Sequence, residues 1–317
     1  MASAHREEIV AAVIDVGSHT VRLLIAQEID GELVTRHYDH VVTHLGTGVS
    51  QSRQLSEAAM AQTLAALEHF AHILHRFDET KVRIVGTEAL RVATNRDDFI
   101  CQLKRRTGLH LEVLSGEREA VYMANGVLQA LQPQPDKAVI FDVGGASTEV
   151  VCVSHAQLCF HASYPIGVVT LRDHLEPERL VADFTQQLVF ELTQAGLWPQ
   201  VTQRDWAVVG TAGTVTTLAA TQQQMAVYCP DKITNFKLKR TELAALADKL
   251  KGLSGVEREK LPGIESGRGE TIVFGIELVC CLLDSLKCSV MTVSDAGLMQ
   301  GVFYTEYSRH AVLSPAD

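Results

Sequence analysis

Much that would assign this chain to a class at once is missing from it. No uninterrupted apolar run reaches the ~18 residues that a membrane-spanning helix needs, and the first eight residues, Met1 to Glu8, hold no apolar signal core. A surplus of basic charge is also lacking: 28 Lys and Arg stand against 38 Asp and Glu, a net charge of −10. A general nucleic-acid binder would carry a basic surface, so that class is set aside. An anionic small substrate is not, because a local basic cleft can sit within an acidic exterior. The seven cysteines form no Cys-x-x-Cys pair, and their odd number suits reduced thiols in a cytoplasm better than a disulfide framework. Zinc-ligand spacing, a Gly-x-Ser-x-Gly elbow and a Walker lysine are all absent.

What is present is a duplication. Ala12-Val13-Ile14-Asp15-Val16-Gly17-Ser18-His19-Thr20 opens the chain, and Val139-Ile140-Phe141-Asp142-Val143-Gly144-Gly145-Ala146-Ser147-Thr148-Glu149 returns near its middle. Each is an apolar strand ending in Asp-Val-Gly, then a turn of small and hydroxylated residues, then a second apolar run. A strand tip needs a glycine where something approaches the backbone closely. The N–H groups such turns expose bind phosphate oxygens, and a nearby Asp can hold a divalent cation. At 317 residues the chain has room for two domains of about 150 residues each. Two such turns therefore predict two related domains facing each other across a phosphate-filled cleft.

The surrounding pattern supports this. Strands are predicted over 11–16, 21–29 and 33–42, then a helix over 55–77 opened by Ser52 or Ser56, a strand over 82–86, a helix over 95–106 and a strand over 109–114. Ser115 is placed to cap a helix running to 131, although Arg118 instead of Glu leaves the capping box incomplete. After the break at Pro133-Gln134-Pro135, strands over 137–143, 147–154 and 157–164 repeat the opening. Helices over 177–195, 241–251 and 268–286, strands over 207–210 and 289–293, and a helical tail over 298–307 complete an α/β chain.

Overlaying the two turns pairs Asp15 with Asp142, Gly17 with Gly144, Thr20 with Ser147 and Arg22 with Glu149. An arginine can clamp phosphate oxygens in a bidentate fork, and a glutamate can hold a metal or a water. A third turn, Gly210-Thr211-Ala212-Gly213-Thr214, joins a strand to a helix and favours an anion at the helix N-terminus. Weaker features have plainer readings: His69, His72 and His75 as a solvated helix face, and Lys104-Arg105-Arg106 and Lys237-Leu238-Lys239-Arg240 as solvated helix ends, with a polyphosphate track as the sharper alternative.

Taken in order, several segments resemble the Ppx/GppA phosphatase family of exopolyphosphatases and guanosine pentaphosphatases. They are Ile14-Asp15-Val16-Gly17-Ser18, Thr87-Glu88-Ala89-Leu90-Arg91, Ser115-Gly116-Glu117-Arg118-Glu119-Ala120, the segment from Asp142 to Glu149, the Gly210 turn, Leu261-Pro262-Gly263-Ile264 with Arg268, and Val293-Ser294-Asp295-Ala296-Gly297-Leu298. The resemblance implies two duplicated ribonuclease-H-like domains of the actin/hexokinase/heat-shock ATPase superfamily around an interdomain cleft. The domains are expected at 1–124 and 125–298, with the tail over 299–317 packing back on the first. By the same resemblance Glu119 is the catalytic base, with Glu117 the lesser candidate. Asp142 and Glu149 complete the catalytic set, and with Asp15 they hold Mg²⁺ or Mn²⁺. Ser18, Arg22, Arg91, Gly144, Gly145, Ser147, Gly213 and Thr214 bind phosphate.

The sequence departs from the family at His19, where Asn is usual, at Ala146, where Gly is usual, and at Met299, where Arg is frequent. The expected activity is that of an exopolyphosphatase: Mg²⁺-dependent removal of terminal phosphate from inorganic polyphosphate by water attack. The alternative is hydrolysis of guanosine pentaphosphate by the same residues. A non-catalytic sensor of guanosine polyphosphates would not need Glu119, Asp142 and Glu149, and a kinase would need an acceptor-activating Asp that has no match. The resemblance is to the short two-domain members, and implies a cytoplasmic homodimer without nucleic-acid or membrane partners.

Overall fold

The computed structural model describes residues 9–77, 80–308 and 311–313. The first half comprises β1 (Val10–Val16), β2 (Thr20–Ile29), β3 (Glu32–Val42), α1 (Val49–Ser52), α2 (Glu57–Leu74), β4 (Lys81–Gly86), α3 (Glu88–Val92), α4 (Arg96–Thr107), β5 (Leu111–Val113) and α5 (Gly116–Ala130). The second contains β6 (Lys137–Val143), β7 (Thr148–Ser154), β8 (Gln157–Tyr164), α6 (Val168–Asp173), α7 (Pro177–Gln194), β9 (Ala207–Thr211), α8 (Ala212–Gln222), α9 (Pro230–Ile233), β10 (Lys237–Lys239), α10 (Arg240–Lys251), α11 (Gly255–Arg258), α12 (Ile272–Ser285), β11 (Val290–Val293) and α13 (Leu298–Tyr307). Of the tail expected over 299–317, residues 309–310 and 314–317 lie outside the described residues.

The two halves share one topology. The first sheet runs β3-β2-β1-β4-β5, an antiparallel meander followed by parallel strands. The second runs β8-β7-β6-β9-β11 in the same sense, with β10 added antiparallel at the far edge. Even the irregularities repeat, since the register shifts at Ile25/Ala26 in one meander and at Cys152/Val153 in the other. These are the two ribonuclease-H-like sheets expected. Their central strands are buried on both faces, which explains near-continuous apolar runs such as Val-Ile-Phe at 139–141.

Each sheet carries helices on its outer face: α2 and α4 on the first, and α7, α8, α10 and α12 on the second. The inner layer is a pair. α13 lays Leu298, Val302 and Phe303 on the first sheet, and α5 lays Val121, Val127 and Leu128 on the second. The two helices meet backbone to backbone. A Cβ on Gly301 would lie 1.5 Å from the Tyr122 carbonyl oxygen, and one on Gly126 would lie 2.0 Å from that of Gly297. Beside the crossing, the side-chain amide of the fully buried Asn125 donates to Thr305 Oγ1 (2.9 Å) and to the Leu313 carbonyl, and accepts from the Leu313 N–H. Residue 124, where the first domain was expected to end, lies inside α5.

Ser56, not Ser52, caps α2, accepting from Ala59 N–H at 3.2 Å. The basic run at 237–240 is an edge strand leading into a helix. Leu238 is buried, Lys237 bonds Thr292, and Arg240 makes a bidentate pair with Asp284. His69 and His72 lie exposed on α2, and the exposed His75 is its C-cap. All seven cysteines are unpaired. Among the described residues no helix is long and apolar enough to cross a membrane.

Candidate active site

Each half contributes one hairpin turn, built alike. Gly17 N–H donates to the Thr20 carbonyl at 3.1 Å, and Gly144 N–H to the Ser147 carbonyl at 3.0 Å. The register then sets Asp15 opposite Arg22 and Asp142 opposite Glu149. The start of α6 ties down the second turn, with Val168 and Val169 donating to the carbonyls of Gly144 and Gly145. The amides of Gly145 and Ala146 donate to no backbone carbonyl among the described residues, whereas the Gly144 amide, expected to cradle phosphate, is committed within its own turn. A Cβ on Gly145 would meet His19 Cβ at 3.1 Å, so the tips of the two turns touch.

Between the halves lies a cavity of about 810 Å³. It is lined by Asp15, Ser18, Arg22, Glu119, Asp142 and Glu149, by Gly144, Gly145 and Ser147 of the second turn, and by Gly213 and Thr214 at the start of α8. No side chain caps α8, so its first-turn N–H groups remain available to an anion. Arg22 grips Asp15 Oδ2 through Nε (3.0 Å) and Nη2 (2.5 Å). Asp15 Oδ1 is buried without any hydrogen-bond partner.

Arg91 is the expected phosphate ligand that does not line the cavity. Its Nη1 donates to Glu119 Oε2 at 2.7 Å and to the Leu114 carbonyl at 3.0 Å, while Nε and Nη2 hold Glu88 Oε2 at 3.0 and 2.6 Å. It orients Glu119 from behind. Glu119 stands in the first turn of α5, where Ser115 Oγ accepts from Arg118 N–H at 3.2 Å, and it is only 7% exposed. A first-turn glutamate is ordinarily solvated; this one is enclosed between two sheets.

Enclosure sets the electrostatics. Burial pushes the Glu119 carboxyl up to about 7, with Arg91 opposing and Asp15 and Asp142 adding to the rise. Burial likewise lifts Asp142 to about 6 against the pull of Arg22. Glu149 is raised well above the usual carboxylate range, by burial first and then by the charges of Glu119 and Asp142, although Ser163 Oγ donates to it at 2.8 Å. His19 is lowered to about 4 by burial, His44, Arg268 and Arg172. Three raised acids thus face one cavity.

The model of the Ppx/GppA phosphatase family matches residues 24–310. The chain belongs to the Ppx/GppA phosphatase family. Curated relatives include the guanosine-5'-triphosphate,3'-diphosphate pyrophosphatases of Photobacterium profundum, 30% identical over 94% of this chain, and of Vibrio cholerae, 30% identical over 92%. The chain spans 59% and 58% of their lengths. Among solved structures, the Aquifex aeolicus Ppx/GppA family member superposes with a TM-score of 0.77 at 31% identity, covering 94% of this chain and 97% of that one. An exopolyphosphatase from Cytophaga hutchinsonii gives 0.84 at 26% identity, over 96% and 100%.

Within this Ppx/GppA site, Arg268 had no role assigned from sequence. Its guanidinium packs against Gly213, leaving no room for a side chain there, and its Nε donates to Glu265 at 2.7 Å. Tyr228, which donates to Asp295, had no signal at all: it lies in a loop without periodicity. Arg268 was detectable as a lone arginine among glycines, Ser266-Gly267-Arg268-Gly269.

Proposed function

We propose that this protein is a phosphohydrolase that removes the terminal phosphate of a phosphoanhydride chain by attack of a water deprotonated by Glu119. One observation carries the reading: a buried carboxylate, raised to about 7 and aimed by Arg91, lines a cavity between two phosphate-turn hairpins. A base titrating near the operating pH is both ionised enough to accept a proton and basic enough to take it. Transfer of a phosphoryl group to water needs alignment and charge neutralisation more than covalent chemistry. Arg22, the amides of Gly145 and Ala146 and the start of α8 support the phosphate oxygens from three sides. The alignment comes from the two halves meeting at His19 and Gly145.

The residues present fit a divalent cation. Asp15 Oδ1 is a buried oxygen without a partner, Asp142 and Glu149 are raised by burial first and then by the negative charges around them, and all are hard oxygen donors. Among the described residues no three His, Cys, Asp or Glu side chains are gathered closely enough to hold a metal ion by themselves. Mg²⁺ keeps several waters and binds through one or two carboxylates plus substrate phosphates. One or two of Asp15, Asp142 and Glu149, together with waters and substrate phosphates, would hold it. When bound it would supply charge neutralisation on the phosphate oxygens.

Inorganic polyphosphate is the first substrate of this reading. Guanosine pentaphosphate is the second, favoured by the names of the curated relatives. The test is orthophosphate release from each, with Mg²⁺, by wild type and Glu119→Gln. Release should fall by about 10²–10⁴ in the variant, the usual contribution of a positioned base. Equal release from both proteins would remove Glu119 from the mechanism.

A further inference from the structure

Arg91 aims the Glu119 carboxylate from behind, but that contact alone does not fix the helix that carries it. The rest of the hold on α5 lies outside the cavity. Arg118, directly before Glu119, is followed at i+4 and i+7 by Tyr122 and Asn125, so the three share one stripe of α5, the stripe that meets α13. Its first two residues carry a network. Arg118 Nη2 donates to the Tyr122 hydroxyl at 2.6 Å, and that hydroxyl donates in turn to Glu306, the penultimate residue of α13. Arg118 Nη1 donates to Glu112 on β5, while Arg83 on β4 pairs with Glu112 at 2.5 Å and stands 3.9 Å from Glu306. Two arginines and two carboxylates from four elements thus surround one phenol. The Tyr122 side chain is fully buried, so water does not replace a lost partner of its hydroxyl without cost. None of these five residues lines the active-site cavity.

The stripe and Glu119 turn together. Successive residues of an α-helix are rotated by about 100°, so the carboxylate projects from the face next to the stripe. A side-chain tip lies about 6 Å from the helix axis, and a rotation of about 10° carries it about 1 Å. A misplacement of that size costs a reaction about 10²-fold. The close approach of Gly126 to Gly297 and of Gly301 to Tyr122 sets the separation of the two helices. The hydrogen bond from the tip of Tyr122 to Glu306 resists rotation, because it acts at the end of a long lever.

We propose that Glu306 is a positioning residue for Glu119: by holding Tyr122 and, through it, Arg118, it fixes the rotation of α5 and with it the direction of the carboxylate. The inference rests on the phosphohydrolase reading and adds to it a residue outside the cavity.

The experiment is a double-mutant cycle in kcat for orthophosphate release from inorganic tripolyphosphate and from guanosine pentaphosphate, with Mg²⁺, well below the unfolding temperature. Glu306→Ala should lower kcat about 10- to 100-fold on the wild-type background, with KM within about threefold, and by less than about threefold in Glu119→Gln, where no base remains to be aimed. Glu306→Gln, which keeps an acceptor for the Tyr122 hydroxyl, should return kcat to within about threefold of wild type. An equal factor on both backgrounds marks a general loss of structure and overturns the proposal. An unchanged kcat in Glu306→Ala also overturns it and leaves phosphohydrolysis standing. Should wild type release orthophosphate from neither compound, or no faster than Glu119→Gln, the phosphohydrolase reading has failed, and crystal structures of wild type and Glu306→Ala decide the positioning. A Glu119 carboxylate displaced by about 1 Å or more in the variant upholds it; one still seated on Arg91 overturns it.

Discussion

Replacing Arg91 by Met removes the guanidinium that touches Glu119. The two charges meet at 2.7 Å, with side-chain exposures of 21% and 10%, so the pair is only partly screened. Charges about 4 Å apart at an effective dielectric of ~20 interact by about 4 kcal/mol. One pKa unit corresponds to about 1.4 kcal/mol, which caps the effect near three units. Water entering the vacated space reduces it to about one or two. The sign is upward, because the lost charge favoured the ionised carboxylate. A base works only when ionised, so the acid limb of the kcat/KM profile should move from near 7 in wild type to about 8 or 9 in Arg91→Met. Orthophosphate release at subsaturating substrate, followed between about pH 5.5 and pH 10, reads the limb directly. A limb that stays put or moves down refutes the argument. An Arg91 that gripped phosphate would give a different signature: KM raised at every pH and the limb unmoved.

The remaining predictions concern the scaffold and its charges. Gly301→Ala places a methyl 1.5 Å from the Tyr122 carbonyl oxygen and forces α5 and α13 apart; thermal unfolding should report a loss of about 1–3 kcal/mol or more, and an unchanged Tm would contradict the crossing. Without added metal, stability should fall as pH rises. Glu119 and Asp142 have folded-state values near 7 and 6, above their unfolded ones near 4, so between about pH 4 and pH 7 the folded state binds more protons. Glu119 alone contributes on the order of 3 kcal/mol to this decline. Tm in chelator should therefore be lower at pH 8 than at pH 5, and Glu119→Gln should flatten the slope. A Tm that climbs over this range would contradict the sign.

The duplicated part of the site was legible because it is local. The correspondence of Asp15 with Asp142 and of Arg22 with Glu149 follows from overlaying the two turns; their partners across each hairpin, Arg22 for Asp15 and Glu149 for Asp142, are set by the turn closure in the structure. The strand order follows from the same repeat. What stayed hidden is held by distant contacts. Arg91 and Glu119 are separated by α4 and β5, and α3, which carries Arg91, is five residues long and too short to show a period. β10 shows one buried residue between two lysines, which reads as a basic cluster until β11 supplies its partner. Gly126 and Gly301 look like isolated flaws in two helices; their reason is the other helix. Tyr38 and Tyr228 come from opposite halves, and only the closed cleft brings them to one cavity.

The central claim, that water activated by Glu119 attacks the terminal phosphorus, is tested most directly by hydrolysis in ¹⁸O-labelled water with mass analysis of the products. The account predicts one labelled oxygen in each released orthophosphate and none in the shortened chain. Label in the shortened chain, with unlabelled orthophosphate, would place the attack at the neighbouring phosphorus and contradict it.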